Sequence, residues 1–373
     1  MANPKATILI DTYNHERLIE EAIGSVLEQD FPAAEMEVLV VDDGSSDRTP
    51  EIVRKFEPRV RLIRKSNGGQ ASAFNAGIPE AHGEIVAFLD GDDWWAHKKL
   101  KRVVETLDSD PAVGIVGHGI VMVEQDGRQQ TETLREGFRF QANTIEGARL
   151  LRVRGSFLGT SRMTIRAELL RRIGRVPEAL VVQADEYLST MAAALAGVQI
   201  LPEALTYYRL HGANLFQITD GDWGKARRKQ KVLAELAQSL HDQLLERGIE
   251  PRVESAITRR LQAEADQLRL MMDGGWPWET VRTERYLYKL LHPDAAWPQR
   301  AFKALALLPA LVLPPKIYYS ARQQVAASEA YRVARGRWLP VPGMSHLQRE
   351  TQSEERSTRR CEAKVVPRVG AGH

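Results

Sequence analysis

Residues Phe88–Trp95 read FLDGDDWW. An apolar run, Ile85–Leu89, ends directly in Asp90, Gly91, Asp92 and Asp93. Three carboxylates in four residues repel one another, and one of them ordinarily holds a proton at a raised pKa. A cation seated among them removes that penalty. A lone Asp after a strand is usually a turn or cap residue, but capping needs one carboxylate and not three. Hard oxygen donors select Mg²⁺ or Mn²⁺. An EF-hand is excluded, because a twelve-residue loop counted from Asp90 ends at Lys101 and not at a glutamate. Mg²⁺ takes one or two carboxylates and completes its shell with phosphate and water, so the expected ligand is phosphorylated.

Working outward, three further runs have the same character. Ala6–Ile10, Glu37–Val41 and Val60–Arg64 are short and β-branched, nearly continuous in apolar residues, as in a parallel sheet covered on both faces. Leu18, Ile19, Ala22, Ile23, Val26 and Leu27 form a helical stripe that Asn14 can cap. Thr49, Pro50 and Glu51 signal the next helix start, with Asp47 as a turn or cap residue. Strand–helix alternation predicts a doubly wound α/β sheet. Ligands bind such sheets at the carboxyl ends of the strands. Those ends carry Asp11-Thr12-Tyr13-Asn14, Asp42-Asp43-Gly44-Ser45 and the Asp90 cluster. There is no G-x-x-x-x-G-K-[ST], and no G-x-G-x-x-G after the first strand, so metal and not a glycine cradle must neutralise phosphate.

Further on, Val113–Val123 followed by Asp126-Gly127 predicts a long strand and a turn, and Thr160–Arg166 another strand. Asp185–Ala196 reads as a helix ended by Gly197, before a strand-like ILPEALTYYRLHG. From about Lys225 the pattern is all-helical. Val232, Leu233, Leu236, Leu240 and Leu244 mark one helix, Val253, Ile257, Leu261 and Leu268 its antiparallel partner, and Pro277–Leu291 a third. The polar stretch after Gly343 is predicted to be disordered. The organisation expected is an α/β domain over 1–220, a helical region over 221–340 and a tail over 341–373.

The formal net charge of +2 gives no global field for nucleic acid. From Trp297 onward, however, Arg and Lys outnumber Asp and Glu. The one cysteine, Cys361, lies in the polar tail, which fits a reducing compartment. No apolar leader opens the sequence, and no stretch reaches the ~20 apolar residues that span a bilayer. The expected setting is the cytoplasm, free or peripheral at the inner face of the plasma membrane. ALALLPALVLPPKIYYSARQ (Ala304–Gln323) has two readings. It packs on the helical region, or it lies in a membrane interface with Lys303, Lys316 and Arg322 at headgroup level and Tyr318 and Tyr319 at the boundary.

ATILIDTYN (Ala6–Asn14), VLVVDDGSSDRT (Val38–Thr49), NGGQASAFNAG (Asn67–Gly77) and AFLDGDDWW (Ala87–Trp95), in this order, resemble the family-2 glycosyltransferases of the GT-A fold. ADEYLSTMAAALAG (Ala184–Gly197) resembles the family's base-bearing segment, and LTYYRLHG (Leu205–Gly212) its strand near the diphosphate. The resemblance implies a metal-assisted inverting transfer of sugar from a nucleotide-diphospho-sugar, with UDP as the default nucleotide, to a carbohydrate or lipid-linked acceptor. It implies that Thr12 and Tyr13 line the nucleobase pocket, Tyr13 stacking on the ring, with Asn14 in the same binding set. Asp43 accepts a hydrogen bond from the base and Asp42 supports its loop. Asn67, Gly68 and Gly69 let backbone approach the nucleotide. Asp90 contacts ribose, Asp92 binds Mg²⁺ or Mn²⁺, and Asp93 orients the sugar or the metal's shell. Arg209 and His211 sit by the diphosphate, His211 as a further metal ligand. Asp185 is the general base.

Three positions depart from the family pattern. Asp11 stands where a small residue or proline is usual, Phe74 where an arginine is common, and Ala184-Asp185-Glu186 where Glu-Asp is frequent. The last leaves Asp185 or Glu186 as the base, with Asp185 favoured. On residues alone, Asp185 reads equally as a helix cap, His211 as a turn residue, and Trp94 and Trp95 as core. Two other functions compete. A nucleotidyltransferase would place a basic glycine-rich loop where DTYNHE stands, and a silent sugar-nucleotide-binding module would not need the intact acidic sets.

Overall fold

The computed structural model describes residues 3–210, 223–291 and 295–327. His211, the boundary drawn at residue 220, Cys361 and the tail from residue 341 lie outside the described residues. In chain order the elements are β1 (Ala6–Thr12), α1 (Ile19–Leu27), β2 (Met36–Asp42), α2 (Thr49–Arg54), β3 (Arg61–Arg64), α3 (Gln70–Gly77), β4 (Ile85–Asp90), β5 (Trp94–Trp95), α4 (Lys99–Ser109), β6 (Val113–Val123) and β7 (Gln129–Glu132). Then come β8 (Phe138–Phe140), α5 (Ile145–Arg154), β9 (Thr164–Arg166), α6 (Ala167–Ile173), α7 (Ala184–Leu195) and β10 (Gly197–Arg209). Helices α8 (Trp223–Glu246), α9 (Pro251–Asp273), α10 (Pro277–Leu291), α11 (Trp297–Ala306) and α12 (Pro315–Ala327) complete the description.

The sheet runs β3-β2-β1-β4-β9-β6-β10-β5, with β7 and β8 attached to β6 and β10. β1 to β4 are mutually parallel, and β9 enters antiparallel between β4 and β6. The alternation of side chains across a strand sends Leu9, Leu39, Val41 and Phe88 to one apolar cluster with residues of α3 and α7. Ile8, Ile10, Val40 and Leu89 go to the other, with residues of α1 and α4. Both faces are buried, which is why Ile8–Ile10, Val38–Val41 and Ile85–Leu89 are unbroken apolar runs up to the acidic carboxyl ends. Register then decides the site: Asp11 lies opposite Asp90, and Thr12 opposite Asp42.

Helices α8 and α9 bury Val232, Leu233, Leu236, Leu240, Leu244, Val253, Ile257 and Leu261 in the same cluster as α7, so they extend the first core. A separate small cluster joins Leu270, Leu307, Ala310, Tyr318 and Tyr319.

Three sequence expectations are corrected. Thr160–Arg166 is not one strand: Thr160–Arg162 is a 3₁₀ turn and only Thr164–Arg166 is extended. The turn places the carbonyl of Ser161 where Trp95 Nε1 and Thr206 Oγ1 donate to it. Asn14 caps no helix, since α1 starts at Ile19 with Leu18 before it. Instead Asn14 adopts a left-handed φ of 57°. Its N–H donates to Ser45 Oγ and its Oδ1 accepts from Ser46 N–H, which ties the β1 and β2 end loops together. Finally, Tyr318 and Tyr319 are 6% and 3% exposed, packed inward and not at an outer boundary.

Candidate functional site: an acidic rim at the strand ends

The rim is built from the end of β4 outward. Asp93 N–H donates to the carbonyl of Asp90, and Gly91 N–H to that of Asp11, which folds Asp90–Asp93 into a tight turn against β1. A side chain at position 91 would meet Thr12 Oγ1 at 2.6 Å, so only glycine lets the turn sit this close. One oxygen from each of Asp90, Asp92 and Asp93 then lies within 4.8 Å of the others.

Each carboxylate is held differently. Asp93 is buried; its Oδ2 accepts from Ser161 Oγ at 2.6 Å and its Oδ1 from Arg209 N–H at 3.1 Å. Ser161 Oγ also accepts from the N–H of Asp90 at 3.1 Å. Arg209 donates through Nε to the carbonyl of Asp92 at 3.2 Å, lies 4.5 Å from the Trp94 ring centroid, and pairs with Glu21. Trp94 in turn stacks on Tyr207. His15 spans Thr12 and Asp92, with Nδ1 3.2 Å from Thr12 Oγ1 and Nε2 3.9 Å from Asp92 Oδ2.

Burial, and then repulsion from Asp92, push the Asp93 carboxyl up to about 8, against the pull of Ser161 and the Arg209 amide. Asp90 is raised well above the ordinary range by burial and then by Asp11, Asp92 and Asp93. Asp11 is raised well above it too, by burial and then Asp92, and its Oδ1 is buried with no hydrogen-bond partner. Asp11 therefore belongs to the acidic rim as a fourth carboxylate beside Asp90. All the donors are hard oxygens, and their mutual repulsion is relieved by a retained proton or by a bound cation. The set fits a divalent ion such as Mg²⁺ or Mn²⁺.

Asp185 sits in the first turn of α7, facing this rim. Its Oδ2 accepts from Thr160 N–H at 3.2 Å and its Oδ1 from Glu186 N–H at 2.9 Å, while burial raises its pKa. Its charge is felt at both Asp11 and Asp90. The N-cap of α7 is Gln183, so Asp185 is not the cap residue. Glu186 points elsewhere, 3.5 Å from Arg260 of α9, with burial raising it to about 7.

At the other end of the rim, Asp43 takes the N–H groups of Gly68 at 3.0 Å and Gly69 at 2.7 Å, and Lys65 Nζ at 2.6 Å. It positions the Asn67-Gly68-Gly69 loop. Gly69 has φ of 83°, and a Cβ there would lie 2.6 Å from the Val181 carbonyl oxygen. Asp42 is fully buried, accepts from Ser45 N–H at 3.0 Å and pairs with Arg64 at 3.1 Å. Thr12 is buried, whereas Tyr13 is 45% exposed and Asn67 is also exposed. Phe74, at the position of a common arginine, is a core residue whose ring lies 5.1 Å from that of Phe88.

Of the residues singled out from sequence, Thr12, Asp90, Asp92, Asp93, Asp185 and Arg209 converge on the rim, and Asp42, Asp43, Asn14 and Gly68 frame it. Four residues were missed. His15, Lys65 and Ser161 contact the acidic residues directly, and Gln70 joins α3 to Thr160 Oγ1 and Ala184 N–H. Only His15, three residues past Thr12 in a strand-end loop, carried a local signal. Ser161 was hidden inside a run that reads as strand.

An acidic rim at the carboxyl edge of a mostly parallel sheet, with one further carboxylate across from it, is the architecture of the GT-A glycosyltransferases. The chain's fold matches that of Staphylococcus aureus TarS residues 1–349, crystallised with UDP-GlcNAc, at a TM-score of 0.56 and 20% identity, covering 86% of this chain and 92% of that one. The family model described as glycosyl transferase family 2 matches residues 7–174. An uncharacterized glycosyltransferase of Nostoc sp. is 31% identical over 266 residues, which is 69% of this chain and 80% of that protein. The poly(ribitol-phosphate) beta-N-acetylglucosaminyltransferase TarS of Staphylococcus aureus is 37% identical over 108 residues, 28% of this chain and 19% of that longer protein. The chain belongs to glycosyl transferase family 2, and it is a glycosyltransferase.

Proposed function

We propose that the chain transfers a sugar from a nucleotide-diphospho-sugar, UDP-linked by default, to an acceptor hydroxyl in one displacement that inverts the anomeric centre. The setting is the synthesis of a cell-surface polysaccharide or glycolipid. The observation that carries this reading is the placement of Asp185 across the rim from Asp90, Asp92 and Asp93, close enough for its charge to act on Asp11 and Asp90.

Asp92, with Asp90 and Asp93, would hold Mg²⁺ or Mn²⁺, which when bound supplies positive charge against the donor's phosphates. The chain's own residues do the rest. Thr12, Tyr13 and the loop of Asn67, Gly68 and Gly69 enclose the nucleobase, the loop braced by Asp43 and Asp42. Tyr13 has the exposure to stack on the ring. Arg209, fixed by Trp94 and Glu21, adds a permanent cation near the leaving diphosphate. Asp185 takes the proton from the acceptor hydroxyl. A carboxyl raised by burial binds that proton more readily than an exposed one, and such a base is typically worth ~10²–10⁴-fold in rate.

The test is Asp185→Asn with a panel of UDP-sugars and an NMR reading of the product's anomeric coupling. Transfer should fall by about 10²–10⁴-fold while donor affinity is kept, and the wild-type product should be inverted. A variant that transfers normally, or a product with retained configuration, would overturn the proposal.

A further inference from the structure

Helix α11 is anomalous for a helix of a water-soluble surface. It has ten residues, and none of them is buried. A helix normally buries one apolar stripe, because packing of that face supplies most of its stability. Here the apolar residues point outward: Trp297 is 79% exposed, Phe302 54% and Leu305 64%. The display continues through the 3₁₀ turn Leu308–Leu311 into α12, with Leu308, Leu311, Val312 and Ile317 all more than half exposed. Contiguous exposed apolar surface of this kind marks an interaction site.

What covers it follows from charge. Trp297–Ala327 contains Arg300, Lys303, Lys316 and Arg322 and no acidic residue. Lys303 and Arg322 both pair with the buried Glu284 of α10, which anchors the segment and leaves one positive charge in excess. Lys316 is exposed beside the apolar residues. Lys316 also lines, with Arg227, Trp223 and Met271, a groove of about 630 Å³ at the base of α12. A second copy of the chain meeting this face about a two-fold axis would oppose like charges, which disfavours self-association. A bilayer bearing acidic headgroups complements both components. No helix among the described residues is long and apolar enough to cross a membrane, so the segment lies along the surface.

We infer that α11, the turn after it and the start of α12 form a monotopic docking face for an anionic lipid bilayer. The docking is independent of the glycosyl-transfer reading. Its corollary, that the acceptor is carried on lipid, rests on that reading.

The test is flotation of the whole chain with vesicles of phosphatidylcholine, with and without phosphatidylglycerol, beside light scattering without lipid. The wild type should float with the anionic vesicles, more weakly with the neutral ones, and less in high salt. The double variant Phe302→Glu/Leu305→Glu should lose binding by at least about tenfold, with melting temperature unchanged because neither side chain is buried. Arg300→Glu/Lys316→Glu, which leaves every apolar residue in place, should lose the preference for the anionic lipid and serves if the first variant folds poorly. Absence of flotation with anionic vesicles would overturn the inference. So would a dimer that dissociates in Phe302→Glu/Leu305→Glu while vesicle binding is untouched. Donor turnover in detergent-free buffer is scored separately, so a failed docking test leaves the catalytic proposal standing, and the reverse.

Discussion

Asp93 offers the sharpest perturbation, because its burial and its neighbours make one proton a measurable share of folding stability. Its carboxyl is pushed up to about 8, against an ordinary value of 3.8. Between those values the folded chain keeps a proton that the unfolded chain releases, so stability is full below pH 4 and falls as pH rises towards 8. Each pH unit in that window costs about 1.4 kcal/mol, or roughly 4 kcal/mol between pH 5 and 8. Coulomb's law gives the same order: two carboxylate charges 4.8 Å apart, the upper limit for the facing oxygens of this cluster, repel by about 3.5 kcal/mol at an effective dielectric of ~20. Because α8 and α9 share this core, the cooperative unit has about 300 residues, and the fall in melting temperature is roughly 6 °C. Asp93→Asn keeps an acceptor for the Arg209 N–H and a partner for Ser161, but cannot titrate. Melting curves across pH in chelator should therefore slope down steeply for the wild type and less so for Asp93→Asn. Mn²⁺ at a hundredfold excess over its Kd should restore about 2.7 kcal/mol to the wild type at pH 8. Parallel curves for the two proteins, or no Mn²⁺ effect at pH 8, would refute the reasoning.

Ser161→Ala removes the hydroxyl shared by Asp90 and Asp93; the half-saturating Mn²⁺ concentration should rise about tenfold while kcat at saturating metal stays within a few-fold, read by metal titration of turnover. Gly69→Ala forces a Cβ against the Val181 carbonyl in a left-handed backbone conformation, so the unfolding free energy, read from melting curves, and the UDP-sugar binding free energy should each fall by more than about 1 kcal/mol. Glu284→Ala removes the buried carboxylate that Lys303 and Arg322 share and should expose α11 and α12 to faster hydrogen exchange, leaving exchange in β1, β2 and β4 unchanged.

The parallel half of the sheet was legible because burial on both faces leaves one signal, continuous apolar runs that stop at Asp11, Asp42 and Asp90. The acidic rim was legible for the same reason, since charges at a strand end stand out against such runs. Side chains that reach the rim from distant parts of the sequence were not. Ser161 acts through a 3₁₀ turn whose residues alternate like a strand, and Lys65 and Gln70 acquire meaning only when β3 and α3 bring them to Asp43 and Thr160. Asn14 had the composition of a helix cap, yet the pull of Ser45 and Ser46 across 31 and 32 residues of chain decided its conformation. The amphiphilic stretch after Ala304 was legible as amphiphilic, but which of its residues turn outward depended on Glu284, a distant buried anion.

The central claim is that the donor's phosphates are gripped through a divalent ion held by Asp90, Asp92 and Asp93. Calorimetric titration of a UDP-sugar into the wild type and Asp92→Ala, each with Mn²⁺ and with chelator, tests it most directly. Binding should appear in the wild type with Mn²⁺, weaken by at least about tenfold in chelator, and show no Mn²⁺ dependence in Asp92→Ala. Equal affinity in all four titrations would contradict the account.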